Sequence, residues 1–224
     1  MRHDGRVTDA KTKPGPGRPA GPDSGDTRQR VIDAACRCFA QHGYGPATNS
    51  LIAELADVTA GAVYYHFGTK SQLFDAVCED VYGKIIARST TAVMASPRSV
   101  RGLLRAVLDE SMRINHESPE LAGFVATAPI DARRHPELTE AFVKQATRMT
   151  ETLATAVRHG QDHGLIPPDR DPVDVAHLIS AIVDGFAHAA AATDPVAMDA
   201  LTEAFESLLL DAADGPGRRS GKSE

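Results

Sequence analysis

The sequence predicts an all-α protein with a small N-terminal helical unit and a larger C-terminal one. Three observations lead there. Apolar residues recur at three- and four-residue spacing in one segment after another, the period that lines one face of a helix. No segment alternates apolar and polar residues as a half-buried strand does, and no internal repeat is present. Helix-stopping residues fall at the junctions, among them Gly43, Gly68, Gly164 and the Pro167-Pro168 pair.

Residues 1–26 hold Pro14, Gly15, Pro16, Gly17, Pro19, Gly21 and Pro22 with almost no apolar anchor, the composition of a disordered arm. A first helix is expected over about 27–42. Val31, Ile32, Ala35, Cys36 and Phe39 form its apolar face, Asp26 or Thr27 caps its start and Gly43 stops it. Thr48 and Ser50 are candidate caps of a second helix carrying Leu51, Ile52, Leu55 and Ala56. Asp57 falls where a tight turn calls for the left-handed region, which aspartate tolerates better than most side chains. Val58 fills the angle, Thr59 caps a short third helix to about residue 66, and Lys70 opens a long fourth one. Two short helices joined by a tight turn outline a helix-turn-helix, whose second helix can lie in the DNA major groove.

Further helical segments are expected at 99–116, 119–127, 137–163, 173–192 and 195–213. Pro129, Pro136 and the Arg133-Arg134 pair mark an expected break after the second of these. The tail 214–224 reads as disordered. The domain plan is therefore an arm (1–26), a three-helix helix-turn-helix domain (27–72), a helical regulatory and dimerisation domain (73–213) and a tail (214–224).

Composition narrows the function. Hydrophobic residues make up 42 % and charged residues 24 %, enough apolar mass for a core in an ordinary soluble balance. No unbroken apolar run reaches the roughly 18 residues that span a bilayer, so no membrane partner is expected. The N-terminus lacks the apolar core of a secretory signal, and three sparse cysteines suit a reducing compartment, so a cytoplasmic location is expected. Cys36 and Cys38 point about 200° apart on a helix, poor geometry for a shared metal. With no phosphate loop, no metal-spaced cluster and no nucleophile elbow, neither an enzyme nor a cofactor or metal is expected. The net charge is −6, and the segment 27–82 carries four basic and six acidic residues. DNA affinity then has to come from a few aimed groups and from dimerisation rather than from a positive field.

The stretches VIDAACRCFAQHGY, T-x-x-x-IAELA and VTAGAVYYHFGTKSQLF, from Val31 to about Leu73, resemble the DNA-binding domain of the TetR family of bacterial transcriptional regulators. Gly43-Tyr44, Ile52-Ala53 and Tyr64-x-His66-Phe67-x-x-Lys70 fall at that family's spacing. The match covers about a fifth of the chain. The helical remainder is similar to the family's regulatory domains in length and pattern. Asn49 departs from the apolar residue usual there, and Asp57 replaces the common turn glycine.

The resemblance implies a homodimeric, ligand-responsive repressor that binds double-stranded operator DNA. Thr48, Ser50, Thr59, Ala60, Gly61, Ala62, Tyr64, Tyr65, His66 and Lys70 are its expected DNA contacts, with Thr48 and Lys70 meeting phosphate and Tyr64 phosphate or base. In the arm, Lys11, Lys13 and Arg18 are candidates to reach a minor groove, the alternative being an inert tail. The reading helix lacks Arg, Lys, Asn and Gln, the residues that make bidentate base contacts. Specificity is thus expected from methyl contacts, tyrosines, DNA shape and half-site spacing. Val175, Leu178, Ile182 and Phe186 on one helix, with Leu201, Phe205 and Leu208 on the next, form the expected dimer seam. Leu104, Met112, His116, Phe124, Met149 and His177 are candidate lining residues for a small apolar or amphipathic ligand. The alternative expectation is a helical DNA-binding regulator or activator without a small-molecule site.

Overall fold

The computed structural model describes residues 24–95, 100–192, 195–205, 207 and 208. All but the last three residues of the expected arm, including Lys11, Lys13 and Arg18, lie outside the described residues, as do Leu209 and the tail. Every regular element among the described residues is helical, as the apolar periodicity requires.

Helix α1 (Ser24–His42) begins three residues before the expected start. Asp26 therefore sits in its first turn, where a negative charge meets the free amides, rather than at the cap. Gly43, at φ 75°, ends the helix by donating its N–H to the Phe39 carbonyl at 2.9 Å. Helix α2 (Asn49–Leu55) is capped by Thr48, whose Oγ1 accepts the Leu51 N–H at 3.1 Å; Ser50 lies inside the helix and does not cap it. Helix α3 (Ala60–Phe67) is capped in the same way, the Thr59 hydroxyl accepting the Ala62 N–H at 3.2 Å. Between them Asp57 adopts φ 53°, the left-handed conformation that the turn demands.

Helix α4 (Lys70–Ala95) runs unbroken across the expected boundary at 72/73, so one rod joins the two expected domains. Helices α5 (Val100–Glu117), α6 (Pro119–Arg134), α7 (Thr139–Asp162), α8 (Pro172–Ala192) and α9 (Pro195–Phe205) complete the order, with a single 3-10 turn at Pro136–Leu138 before α7. The expected last helix extended to residue 213; α9 ends at Phe205, and most residues beyond it lie outside the described ones. Helices α4, α5, α8 and α7 pack in a ring, each against the next, while α6 lies along α1. Arg88 on α4 bonds Glu110 at 2.6 Å and Glu117 at 2.8 Å, bracing α4 against α5, and Arg113 adds a 2.9 Å contact to Glu110 within α5.

The break expected after Thr127 does not occur, because α6 continues through Pro129 to Arg134. Proline withholds the one N–H that would meet the Val125 carbonyl, a local cost to the ladder. Leu121, Phe124, Ala128, Asp131 and Ala132 are buried along the helix, so tertiary packing overrides the local cost. Gly123 permits that approach, since a Cβ there would come within 3.1 Å of the Ala40 Cβ. The break falls instead at His135, held extended by the proline after it.

The main core does not stop at the N-terminal unit. Phe39 of α1, Phe74 of α4 and Phe124 of α6 form a fully buried triangle of rings, 5.3 to 6.4 Å apart. Two smaller clusters hold the C-terminal end: Leu108, Phe186 and Met198 in one, and Val157, Ile166 and Ile179 in the other. The segment Pro172–Ala190 is apolar over much of its length. Asp174 and Asp184 interrupt its apolar run, yet it averages a hydropathy high enough to cross a membrane, with only 17 % of it buried.

Candidate nucleic-acid interface

Thr48 to Lys70 presents one outward surface. Val63 and Phe67 turn into the core, with the Arg28 guanidinium 5.2 Å from the Phe67 ring centre. The opposite side of α3 carries Gly61, Tyr64 and Tyr65; Tyr64 is 59 % and Tyr65 84 % exposed. Large aromatic side chains this open on a short helix are available to a partner, with a phenol as polar tip. Thr48, Ser50 and Thr59 are exposed at the starts of α2 and α3, Ala62 and His66 are half-buried, and Ala60 packs partly against the core. His66 sits edge-on to Tyr65 at 5.2 Å and tilted to Phe67 at 6.2 Å.

The turn that sets the angle between α2 and α3 is held from behind. Arg30 on α1 donates to the Ala56 carbonyl at 2.5 Å and the Asp57 carbonyl at 2.9 Å, with the Asp57 carboxylate at 3.5 Å. Sequence reading passed over Arg30, whose targets are backbone atoms 26 and 27 residues away. Asn49, which departs from the family's usual apolar residue, buries its Oδ1 without a hydrogen-bond partner.

Lys70 is bound within the chain. Its Nζ donates to the carbonyls of Tyr44 (2.8 Å), Gly45 (3.2 Å) and Ala47 (2.9 Å) and lies 4.1 Å from the centre of the Tyr44 ring. An ammonium has three donors, and all three have partners within the chain, so the phosphate contact expected of Lys70 competes with bonds already made. Burial pushes the Lys70 pKa below the ordinary lysine range, against the pull of Glu137, Cys38 and Asp131. The bridged carbonyls belong to the connection between α1 and α2, which ends at the Thr48 cap. From the other side that connection is met by Asp131 of α6, whose Oδ2 accepts the Tyr44 N–H at 2.8 Å.

The structure divides the other candidate residues. Of the dimer set, Leu178 (61 % exposed), Leu201 and Leu208 face outward. Phe186 is buried and meets the Phe205 ring edge-on at 5.4 Å, Ile182 packs beside them, and Val175 packs on the Val157 cluster. The outward face of α8 also includes Val173, Ala181 and Gly185, none of them in the expected seam. The six ligand candidates fall in different places. Phe124 and Met149 belong to the main core, Met112 to the Phe186 cluster and Leu104 to the Val157 cluster, while His116 and His177 are exposed. His177 lines a groove of about 470 Å³ between α7 and α8 with Val143, Thr150 and Arg158. A larger groove of about 1000 Å³ lies between α4 and α5, lined by small residues and by Arg88, Arg105 and Arg113, and contains none of the six.

Known proteins share this arrangement. A sequence model of bacterial regulatory proteins of the tetR family matches residues 31–77, and one of the C-terminal part of BetI-type transcriptional repressors matches residues 100–213. The HTH-type transcriptional repressor AcnR of Corynebacterium efficiens is 30 % identical over 165 residues, 72 % of this chain and 80 % of that protein. A TetR-family transcriptional regulator from a Rhodococcus species superposes with a TM-score of 0.70 at 22 % identity, covering 85 % of this chain and 97 % of the other. The regulator FadR from Bacillus subtilis, solved with stearoyl-CoA, gives 0.66 at 20 % identity over 79 % and 96 %. Both structural likenesses speak to the fold alone. With its capped helix-turn-helix and these matches along both halves, the chain belongs to the tetR family of DNA-binding transcriptional regulators.

Proposed function

We propose that the protein is a cytoplasmic homodimeric repressor that leaves its operator when a small apolar or amphipathic molecule binds. The observation that carries the DNA half of this reading is the outward face of α3, with Gly61, Tyr64 and Tyr65 exposed beside the two threonine caps. Gly61 allows the backbone to approach a base step, and Ala62 offers a methyl to thymine. Tyr64 and Tyr65 reach phosphate or base edges, while Thr48 and Thr59 present hydroxyls where helix amides favour an anion. Ser50 and His66 flank this surface. Lys70 acts chiefly as a tether of the α1–α2 connection.

A dimer supplies what one small head lacks, two heads on one rigid body about one DNA turn apart. The uncovered apolar side of α8, with Val173, Leu178 and Ala181, and Leu201 and Leu208 beyond it support this seam; Gly185 lets a second helix come close. The same surface explains an average hydropathy suited to a membrane without requiring one. For the ligand, support comes from the ring of α4, α5, α8 and α7 around an apolar interior, and from the stearoyl-CoA held by FadR, which shares the fold.

The test is recovery of genomic fragments by the purified protein, then sedimentation with and without a recovered fragment. Dimers protecting two half-sites are expected, and Leu178→Glu should yield monomers with weakened operator binding. A monomeric wild type on a single site would end the dimer reading. A melting screen across fatty acyl, aromatic and quaternary ammonium compounds tests the ligand. No stabiliser, with operator binding intact, would favour a regulator without a small-molecule site.

A further inference from the structure

The connection between α1 and α2 is gripped from two helices by opposite kinds of bond. Lys70 of α4 takes three of its carbonyls. Asp131, in the last turn of α6 and only 6 % exposed, takes the Tyr44 N–H. One turn further on, His135 sets its ring edge-on against the Tyr44 ring, centroids 5.0 Å apart. Gly43 brings the backbone close at φ 75°, so that even a Cβ there would lie 3.4 Å from the Asp131 carboxylate. Beyond this segment lies only the Thr48 cap of α2.

A buried carboxylate is a costly way to fill space, and an apolar side chain on α6 would pack against α1 without that penalty. What the carboxylate adds is direction: a charge-assisted bond to one backbone N–H fixes distance and angle together. The bond spans 87 residues and joins α6 to the segment from which the helix-turn-helix starts. Neither Asp131 nor His135 belongs to the outward DNA-facing surface, so neither reads a base.

We propose that Asp131, supported by His135, is a positioning residue for operator recognition. It sets the angle of the helix-turn-helix against α6 and so the distance between the two reading helices of the dimer. It is therefore a determinant of half-site spacing, at a position that touches no DNA. This rests on the dimeric reading of the protein.

The experiment uses the full-length protein and an operator fragment recovered with the wild type, rebuilt with one or two base pairs added or removed between half-sites. Anisotropy titrations compare wild type, Asp131→Ala, Asp131→Asn and His135→Ala on this series and on a single half-site. Wild type should prefer one spacing. Asp131→Ala should flatten that preference by about tenfold, the order that one hydrogen bond to a charged group supplies, with single half-site affinity unchanged. Asp131→Asn, whose amide oxygen still accepts but without charge, should fall between. His135→Ala should flatten it less and keeps the test alive if Asp131→Ala fails to fold. An unchanged spacing profile in the folded variants overturns the proposal. So does a parallel loss on the single half-site, which marks general damage to the head. Wild type binding as a monomer defeats the dimeric reading together with this one, whereas a dimer with unchanged spacing defeats this one alone.

Discussion

Replacing Lys70 by methionine separates two roles that a lysine at this position can have. Methionine keeps the apolar stem and removes the ammonium, so three carbonyls lose a donor. The Gly45 carbonyl is exposed and regains water; those of Tyr44 and Ala47 are part-buried. Two under-satisfied carbonyls at about 1–1.5 kcal/mol each, with about 0.5 kcal/mol from the ammonium over the Tyr44 ring, give about 3 kcal/mol. Relief of the desolvation that depresses the Lys70 pKa offsets part of it, leaving a net loss of about 2 kcal/mol. In a chain of this size that lowers the melting temperature by about 4–8 °C, readable by calorimetry without DNA. A phosphate contact predicts something else. Each lysine meeting phosphate contributes about 0.9 to the slope of log affinity against log salt, so a dimer would lose about 1.8. The tether predicts a lower melting temperature with the slope of wild type, measured by anisotropy over about 50–300 mM salt. An unchanged melting temperature with a slope shallower by about 1.8 would refute it. Lys70→Arg sharpens the comparison, because a planar fork serves three converging carbonyls poorly yet meets phosphate well.

Other substitutions probe the rest of the head. Asp57→Gly should raise the urea midpoint or leave it unchanged: glycine relieves φ 53° by up to about 1 kcal/mol, and the ion pair lost to Arg30 is exposed. Asp57→Val should lower it. Tyr64→Ala and Tyr65→Ala should each weaken operator binding by about fivefold to tenfold in anisotropy titrations while leaving the melting temperature in place. Burial raises the Cys36 thiol from 9.0 to about 12, with Glu120 adding to it, and the Cys78 thiol likewise, with Asp75 adding. The unfolded thiols ionise near pH 9 while the native ones stay protonated, so this contribution is intact below pH 9 and is lost as pH rises toward 12. At about pH 10 each thiol costs on the order of 1 kcal/mol of stability. Urea melts of Cys36→Ala/Cys78→Ala should therefore show less alkaline destabilisation than wild type, by about 2–3 kcal/mol.

What could be read from the sequence were features whose physics is local. A threonine just ahead of an apolar run caps a helix wherever it occurs, and Thr48 and Thr59 do so. An aspartate where glycine is usual signals the left-handed region, which Asp57 adopts. Pro129 misled because its cost is local while the packing of α6 on α1 is not. The intrachain tether made by Lys70 gave no signal, because its partners are backbone atoms, which every residue has and no pattern marks. Asp131 and His135 gave no signal, lying far along the chain from the tyrosine that they hold. In α8 the difficulty was of another kind. Ile182 and Phe186 face the core while Leu178 and Ala181 face out, and a helix apolar on both sides gives periodicity nothing to separate. The ligand candidates were chosen by residue type, and type does not say which of three clusters a methionine or leucine will join.

The small side chains of α3 and the rigidity behind them are physically linked. In the proposed reading, the Ala60, Gly61 and Ala62 start of the helix supplies little discrimination per head, since each lacks a bidentate donor or acceptor. On flexible linkers, two such heads would gain effective concentration but would accept a range of spacings. Here α4 passes from the helix-turn-helix to the C-terminal helices without a break, and the buried rings of Phe39, Phe74 and Phe124 close one core over both. Arg30 fixes the turn between α2 and α3, and Lys70 fixes the approach to α2. A head held this way cannot adapt to a misplaced half-site without breaking bonds to its own backbone. The same attachment works in reverse: a shift of α6 strains the Tyr44 N–H bond directly, so the elements that would carry a regulatory signal are those that hold the reading helix in register.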